Sequence, residues 1–144
     1  MNPKPPSELQ TITHILTHCR TVAVVGMSPK PERDSYRVAH YMQAQGWRII
    51  PVNPVVAGQT LLGEHVFATL TEAVQHAQID LVDVFRNSAD AAPVVAEAMA
   101  LQLPAVWLQL GVCNDTALAS AQAAGVWAVQ DRCLKIEHAR HNHP

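Results

Sequence analysis

The stretch that decides the fold is Thr21-Val22-Ala23-Val24-Val25-Gly26-Met27-Ser28. Its apolar run does not alternate with polar residues, which is typical of a strand that is covered on both faces in a parallel sheet. Gly26 follows directly, and a residue without a β-carbon can turn sharply and approach a ligand closely. The pattern predicts a first strand that ends in a ligand-binding loop.

A helix is predicted after this loop. Asp34 and Ser35 are of the residue types that cap helices, and Val38, Tyr41 and Met42 behind them share one helical face. Amide groups at a helix start lack intrahelical partners, and the positive end of the helix dipole attracts negative charge. Strand, glycine loop and helix start together predict an anion-binding site.

Strand and helix patterns alternate along the whole chain. After a first helix with a capping-box pattern at Ser7 and Gln10, we predict strands at 21–25, 47–52, 81–85, 105–108 and 126–129, with a short edge strand near 65–67. The predicted helices lie at about 35–45, at 72–77 capped by Thr71, after Ser88 as cap, after Asn114 as cap, and at 132–139.

Such alternation through short connections implies right-handed crossovers and parallel strands. We therefore predict an α/β protein with a single Rossmann-like domain, in which a mostly parallel sheet carries helices on both faces. Residues 21–140 form this domain, residues 1–20 contribute a helix that packs on it, and residues 141–144 form a tail.

Composition limits the kinds of partner. A chain of 144 residues that is 49% hydrophobic can fill the core of one domain, and a formal net charge of −2 gives no basic excess for nucleic acid. No run approaches the length of a membrane span, and the N-terminus lacks a targeting pattern. Three cysteines without C-x-x-C spacing favour reduced thiols, so we expect a cytoplasmic protein. Because nucleic acid and membrane are not indicated, we expect its ligand to be a small molecule.

The predicted topology brings several loops together. If the chain order reverses beside the first strand, the loops that follow neighbouring strands open into one crevice at their carboxyl ends. Those loops are 26–33, 53–54 and 85–88, and Gln109 ends the next strand beyond them. Any ligand chemistry is expected in this crevice.

The absence of two nucleotide-binding sequence motifs narrows the type of ligand. The first loop has one glycine where a dinucleotide fingerprint needs three, the second strand ends in Asn53 rather than an acid, and no G-K-[ST] is present. What remains is Ser28 near a helix start, with Lys30, Arg33 and Arg86 as cations close to the crevice. This set suits a phosphorylated ligand that is bound without metal or hydride chemistry.

At this point a family resemblance can be stated. Six motifs between about Thr21 and His138 resemble, in order, those of the small bacterial CoA-binding protein family: Val24-Val25-Gly26-Met27-Ser28, Arg33-Asp34-Ser35, Pro51-Val52-Asn53-Pro54, Asp83-Val84-Phe85-Arg86, Val106-Trp107-Leu108-Gln109-Leu110-Gly111 and Asp131-Arg132-Cys133-Leu134. That family is similar to the CoA-binding domain of the succinyl-CoA synthetase α subunit. The resemblance implies a Rossmann-like domain that binds coenzyme A or an acyl-CoA, with its phosphates in the loop after the first strand.

The resemblance also implies a set of ligand-binding positions. Together with the loop analysis it gives Gly26, Met27, Ser28, Pro29, Arg33, Asn53, Pro54, Phe85, Arg86 and Gln109. The synthetase has a lysine shortly after the proline of its second loop, whereas here Val55 follows. Arg33 or Arg86 could supply the missing charge, and the sequence does not choose between them.

Three functions are compatible with these observations. The first is non-catalytic binding of CoA or an acyl-CoA; the second is a dinucleotide-binding oxidoreductase or redox sensor; the third is the CoA-binding half of a multi-chain acyl-CoA synthetase. We expect no ligase activity from this chain in isolation. No catalytic set can be assembled, and His14 with His18 lacks a third metal ligand.

Cys133 allows two interpretations. Beside Arg132 its thiol could be reactive and form a mixed disulfide with CoA. A buried structural cysteine at a helix start is the commoner case.

Overall fold

A computed structural model describes residues 4–142. Residues 1–3 of the predicted N-terminal segment and 143–144 of the predicted tail lie outside this range. The strands are β1 (Thr21–Val25), β2 (Arg48–Val52), β3 (Thr60–Leu61), β4 (Glu64–His65), β5 (Leu81–Val84), β6 (Ala105–Gln109) and β7 (Trp127–Arg132). The helices are α1 (Glu8–His18), α2 (Asp34–Ala44), α3 (Leu70–Ala73), α4 (Ser88–Ala100), α5 (Asp115–Ala123) and α6 (Leu134–His141).

Five strands form one parallel sheet in the order β2-β1-β5-β6-β7. The chain order therefore reverses at β1, which pairs with β2 on one side and β5 on the other. The predicted α/β fold with a parallel sheet is confirmed. The predicted edge strand near 65–67 is a small antiparallel hairpin of β3 and β4, and Phe67 adds a single bridge to Val52.

Helices cover both faces of the sheet. One face, formed by Val22, Val24, Ile49, Leu81 and Trp107, packs against apolar residues of α1, α2 and α6. The opposite face packs against α3, α4 and α5, and its buried strand residues are Ala23, Val25, Ile50, Val52, Val82, Val84, Val106, Leu108 and Ala128. Burial on both faces explains why the central strands read as continuous apolar runs.

The first helix begins as predicted. The Ser7 hydroxyl accepts a hydrogen bond from the Gln10 amide at 3.1 Å, and the Gln10 side chain accepts one from the Ser7 amide at 2.8 Å. Ile12, Ile15 and Leu16 then bury one face of α1 in the same core layer as β1. The reciprocal capping box fixes where the helix starts.

The predicted cap of the third helix is wrong by two residues. Thr69, not Thr71, accepts the hydrogen bond from the Glu72 amide at 3.1 Å, so α3 starts at Leu70. The Thr71 hydroxyl instead donates to the carboxylate of Glu97 on α4. Either threonine could cap a helix. Because the Thr71 hydroxyl is bonded to Glu97, Thr69 is the cap.

The predicted cap of the fourth helix is wrong by one residue. Asn87 accepts from the Asp90 amide at 3.1 Å and is the N-cap, so Ser88 is the first helical residue. The Ser88 hydroxyl accepts from the Cys113 amide at 3.0 Å and ties the start of α4 to the loop after β6. That distant partner could not be read from local sequence.

The last strand and helix begin and end later than predicted. β7 continues to Arg132, and α6 begins at Leu134 rather than at 132. Asp131 extends the strand in a left-handed conformation, with φ of 57°, where the register between β6 and β7 shifts. Its carboxylate accepts a hydrogen bond from the Gly111 amide at 2.8 Å. This bulge joins the end of β7 to the loop after β6.

No helix within residues 4–142 is long and apolar enough to cross a membrane.

Candidate functional site

A cleft lies above the carboxyl ends of β1, β5 and β6, at the point where the strand order reverses. Its volume is about 560 Å³, and it is lined by Gly26, Ser28, Lys30, Arg33, Asp34, Ser35, Phe85, Arg86, Gln109, Leu110 and Val112. Six of the ten predicted ligand-binding positions are among them: Gly26, Ser28, Arg33, Phe85, Arg86 and Gln109. The structure thus brings together residues that are more than eighty positions apart in the sequence.

Gly26 sits at the junction of two strand ends. Its φ is +88°, and a β-carbon at this position would lie 2.1 Å from the backbone oxygen of Phe85. Backbone atoms cannot move aside as a flexible side chain can. Only glycine therefore allows the end of β1 to pack this closely on the end of β5.

The amides of the first loop are mostly used inside the protein. The Ser28 amide donates to the Ser35 hydroxyl at 2.9 Å, the Lys30 amide donates to the Ser28 hydroxyl at 3.1 Å, and the Gly26 amide donates to the Val52 oxygen at 2.8 Å. The Gly26 and Ser28 amides therefore already have acceptors within the chain, and phosphate binding by this loop stays a prediction. Ser28 thus lines the cleft with its amide and hydroxyl both hydrogen-bonded within this segment.

Ser35 does not cap the helix as predicted. The N-cap is Arg33, and neither its side chain nor another caps α2, because the Ser35 hydroxyl is turned toward the loop. The first-turn amides of α2 consequently keep their hydrogen-bonding capacity, and Asp34 and Ser35 of that turn line the cleft. Free backbone donors are therefore present at the start of α2, where the positive end of the helix dipole also favours negative charge.

Three cations surround the cleft. Lys30 and Arg33 are exposed and Arg86 is half-buried, and none of them forms a salt bridge within the described chain. Asp34 is the one acidic residue that lines the cleft, and it pairs with Arg37 one turn further along α2. Three free cations against one neutralised carboxylate make the cleft attractive to a phosphorylated ligand.

The other four predicted positions do not line the cleft. Met27 is fully buried and Pro29 is exposed, while Pro54 starts a short 3₁₀ turn after β2. The Asn53 side chain donates to the Met27 oxygen at 2.9 Å and accepts from the Val55 amide at 3.0 Å. Asn53 thus supports the loop from behind.

A second cavity continues from the first. Its volume is about 350 Å³, and it shares Asp34, Phe85, Gln109 and Leu110 with the cleft. The residues it adds are Arg37, Val38, Cys133, Lys135 and Ile136. Its lining is more apolar, and we call it the side channel. Leu110, Lys135 and Ile136 were not predicted as lining residues, and Lys135 and Ile136 lie on α6, whose position against β6 depends on the tertiary structure.

Gln109 joins the two cavities and is 5% exposed. Its side-chain oxygen accepts a long hydrogen bond of 3.4 Å from the Leu134 amide at the start of α6. No described residue accepts from its side-chain nitrogen. Among the described residues, the only buried side-chain oxygen or nitrogen atoms without a partner belong to Asp83, so the Gln109 nitrogen is open to solvent.

Asp83 lies on β5 two residues before Phe85, and it is fully buried. Neither oxygen of its side chain has a hydrogen-bond partner. Complete burial holds the pKa of this carboxyl well above its usual range, because a charge without a partner is costly to bury. Burial therefore favours the neutral form of this side chain.

No cluster of three or more histidine, cysteine or acidic residues that could hold a metal ion occurs between residues 4 and 142. His14 stacks on Trp127 with ring centroids 3.7 Å apart, next to His18. Of the histidines near the C-terminus, His143 lies outside the described residues.

The sequence model of a family described as "CoA binding domain" matches residues 20–139, nearly the whole fold. The chain belongs to this family. Uncharacterized protein YneT of Bacillus subtilis (strain 168) is 36% identical over 134 residues, which are 93% of this chain and 96% of the relative. The resemblance inferred from the six motifs is confirmed at the level of the family.

Solved structures agree with this membership. A Thermus thermophilus protein is 35% identical with a TM-score of 0.85, and the match covers 92% of this chain and 97% of that one. A hypothetical protein from Pyrococcus horikoshii OT3 is 31% identical with a TM-score of 0.84 and 97% coverage of both chains. The fold of these relatives therefore extends over essentially the whole CoA binding domain described here.

Proposed function

We propose that this protein binds coenzyme A or an acyl-CoA in the cleft and does no chemistry on it. The observation that carries the proposal is that a member of the CoA binding domain family places three unpaired cations and an uncapped helix start around one cleft at the strand switch point. CoA has a pyrophosphate and a separate 3′-phosphate, and both need positive partners. We propose that it acts in the cytoplasm, as the number and spacing of its cysteines favour.

In this proposal the start of α2 receives one phosphate and a mobile cation receives another. The amides of the first α2 turn are the donors for the pyrophosphate, with Lys30 and Arg33 beside them. Arg86 is half-buried at the end of β5 and faces the same cleft, so it is the leading partner for the 3′-phosphate. The pantetheine arm would then pass Phe85 and Gln109 into the side channel.

The dinucleotide alternative has less support. A ribose diol is ordinarily held by an acid at the end of the second strand, and here that position is Asn53, whose side chain is engaged with Met27 and Val55. No described group near the cleft offers a replacement except Asp34, which pairs with Arg37. A binding module for CoA agrees better with the cleft.

A thermal melt with added ligand tests the proposal. A ligand that binds only the folded protein adds about 2.7 kcal/mol of stability at a hundredfold excess over its dissociation constant. The melting temperature should rise with CoA and stay unchanged with NAD at the same concentration. A rise with NAD alone, or equal rises with both, would favour the oxidoreductase or redox-sensor alternative.

The synthetase alternative predicts a partner protein. Co-purification from cell extract with a chain that has a nucleotide-grasp domain would support it. CoA-dependent stabilisation of the isolated chain, without such a partner, would support the simple binding function.

A further inference from the structure

Two large apolar side chains are exposed in the side channel. Leu110, which directly follows β6, is 61% exposed, and Ile136 in the first turn of α6 is 44% exposed. Between positions 4 and 142 only two other large apolar residues are exposed, Leu9 and Val55, and neither lines the cleft or the channel. Apolar side chains that share one cavity and remain in contact with water favour the binding of an apolar group.

The charged groups of the channel are already engaged. Asp34 and Arg37 pair with each other. The Lys135 ammonium lies over the Tyr41 ring, 5.5 Å from its centroid. The cleft differs, because its three cations have no salt bridge among the described residues. The remaining channel wall is apolar and is formed by Val38, Phe85 and Cys133. The channel therefore suits an uncharged, apolar group.

The channel and the cleft meet at Phe85, Gln109 and Leu110, which line both cavities. A ligand that extends from one into the other passes from a cationic to an apolar environment. An acyl-CoA has its groups in this order, because phosphates lie at one end, a polar arm follows, and a hydrocarbon chain forms the other end. Free CoA ends at a thiol and would leave the apolar wall of the channel largely uncovered.

The size of the channel suits a short chain. Its volume of about 350 Å³ is near the lower end of the range for small-molecule pockets. Lys135 and Ile136 also line a groove of about 570 Å³ on α6, together with Ala139 and Arg140. This groove adjoins the channel at Ile136, so the end of an acyl chain can remain in contact with apolar surface there.

We infer that the preferred ligand is a CoA thioester of a short aliphatic acid, with its acyl chain in the side channel against Leu110 and Ile136. This inference rests on the proposed binding of CoA in the cleft. The acyl chain and the two side chains leave water together when the thioester binds. Each methylene that is fully buried should tighten binding by about fourfold.

Titration calorimetry of the full chain with CoA, acetyl-CoA, butanoyl-CoA and hexanoyl-CoA tests the inference. Affinity should rise along this series, and hexanoyl-CoA should bind at least about tenfold more tightly than free CoA. Equal affinities for free CoA and hexanoyl-CoA would overturn the inference and leave CoA binding intact. If neither CoA nor any thioester binds, the proposed function fails together with the inference.

A double variant, Leu110→Asn with Ile136→Asn, locates the acyl chain. Both side chains are exposed, so the fold should be kept. The variant should bind free CoA as tightly as the unmutated chain does and lose most of the gain with hexanoyl-CoA. Leu9→Asn is the matched control and should keep the gain, because Leu9 is 73% exposed on α1 and lines neither cavity.

Two further outcomes would contradict the inference. A gain with hexanoyl-CoA that survives in the double variant would mean that the acyl chain lies elsewhere. Sedimentation of the unliganded protein tests a second copy of the chain as the occupant: a dimer that the double variant abolishes would mean that a second copy covers Leu110 and Ile136. If the double variant fails to fold, the chain-length series on the unmutated protein still decides whether the acyl group contributes to binding.

Discussion

The backbone oxygen of Phe85 lies 2.1 Å from the place where a β-carbon on Gly26 would be. Gly26 directly follows β1 and Phe85 directly follows β5, so the ends of these two neighbouring strands, beside which the cleft opens, lie too close for any side chain at Gly26. Because the obstructing atom belongs to the backbone, a larger residue at Gly26 must displace a strand end. The geometry of the whole cleft therefore depends on the absence of one side-chain atom.

Gly26→Ala should destabilise the protein far more than an ordinary glycine replacement. Gly46 is the matched control, since its φ is +92° but nothing lies within 4 Å of its would-be β-carbon. Gly46→Ala should cost about 1 to 2 kcal/mol for the positive φ alone. Chemical denaturation of both variants measures the difference, and equal losses would mean that the Phe85 contact relaxes freely.

Arg86→Ala should weaken CoA binding by about 1.5 to 3 kcal/mol, the range for a hydrogen bond to a charged group, and leave the fold intact. Titration calorimetry with CoA and with dephospho-CoA measures the effect, which should be small for dephospho-CoA if Arg86 binds the 3′-phosphate. Arg48→Ala is the control, because Arg48 lies at the amino end of β2 and pairs with Glu64. Unchanged CoA affinity in Arg86→Ala would remove this residue from the site and make Arg33 the next to test.

Asn53→Ala should lower stability by about 1 to 3 kcal/mol and CoA affinity with it, because the Met27 oxygen loses its donor and the loop loosens. Asn114→Ala offers a comparison, since Asn114 also caps a helical segment but has no contact with the loop after β1. That control should lose stability at similar magnitude without losing affinity for CoA. Denaturation and calorimetry on the same samples separate the two effects, and equal affinity losses would argue against a specific role for Asn53.

Asp83→Asn should stabilise the protein increasingly as pH rises. In the folded chain burial raises the pKa of Asp83, so the unfolded state ionises first and binds fewer protons. The unmutated protein therefore loses about 1.4 kcal/mol per pH unit relative to the variant, from pH near 4 up to the folded pKa. Denaturant unfolding at several pH values between 4 and 8 measures this, and a difference that stays constant with pH would mean that the carboxyl is not neutral when folded.

His138→Gln should reduce the loss of stability at mildly acidic pH. Burial, together with the charges of Arg20 and His141, lowers the pKa of His138 in the folded protein. Because the unfolded state then binds the proton more readily, stability is full above pH of about 6.5 and falls as pH drops below it. Melting curves at pH 7 and pH 5 should differ less for this variant than for His40→Gln, whose ring is exposed.

The succession of strands and helices along the chain, and the loops that surround the cleft, could be predicted from the amino-acid sequence. Unbroken apolar runs such as Val22–Val25 identify buried parallel strands, and a glycine at a strand end identifies the loop that follows. These signals are local, because the apolar run and the glycine each constrain only the segment in which they lie. Each strand and loop can therefore be predicted without knowledge of the rest of the fold. Together with the motif order they also identified the family.

Which polar groups are free to bind a ligand could not be predicted in this way, because it depends on tertiary contacts. Ser35, Ser88 and Thr71 all have the chemistry of helix caps, but Ser35 is engaged by the loop before α2, and Ser88 and Thr71 are engaged by residues distant in sequence. The amides of Gly26 and Ser28 also have acceptors within the chain. From the sequence, Cys133 is most simply interpreted as a structural cysteine. In the structure α6 starts beside the end of β6, and Cys133 lines the side channel there. Hydrogen-bonding capacity is a property of a residue, whereas its availability depends on which other parts of the chain fold against it.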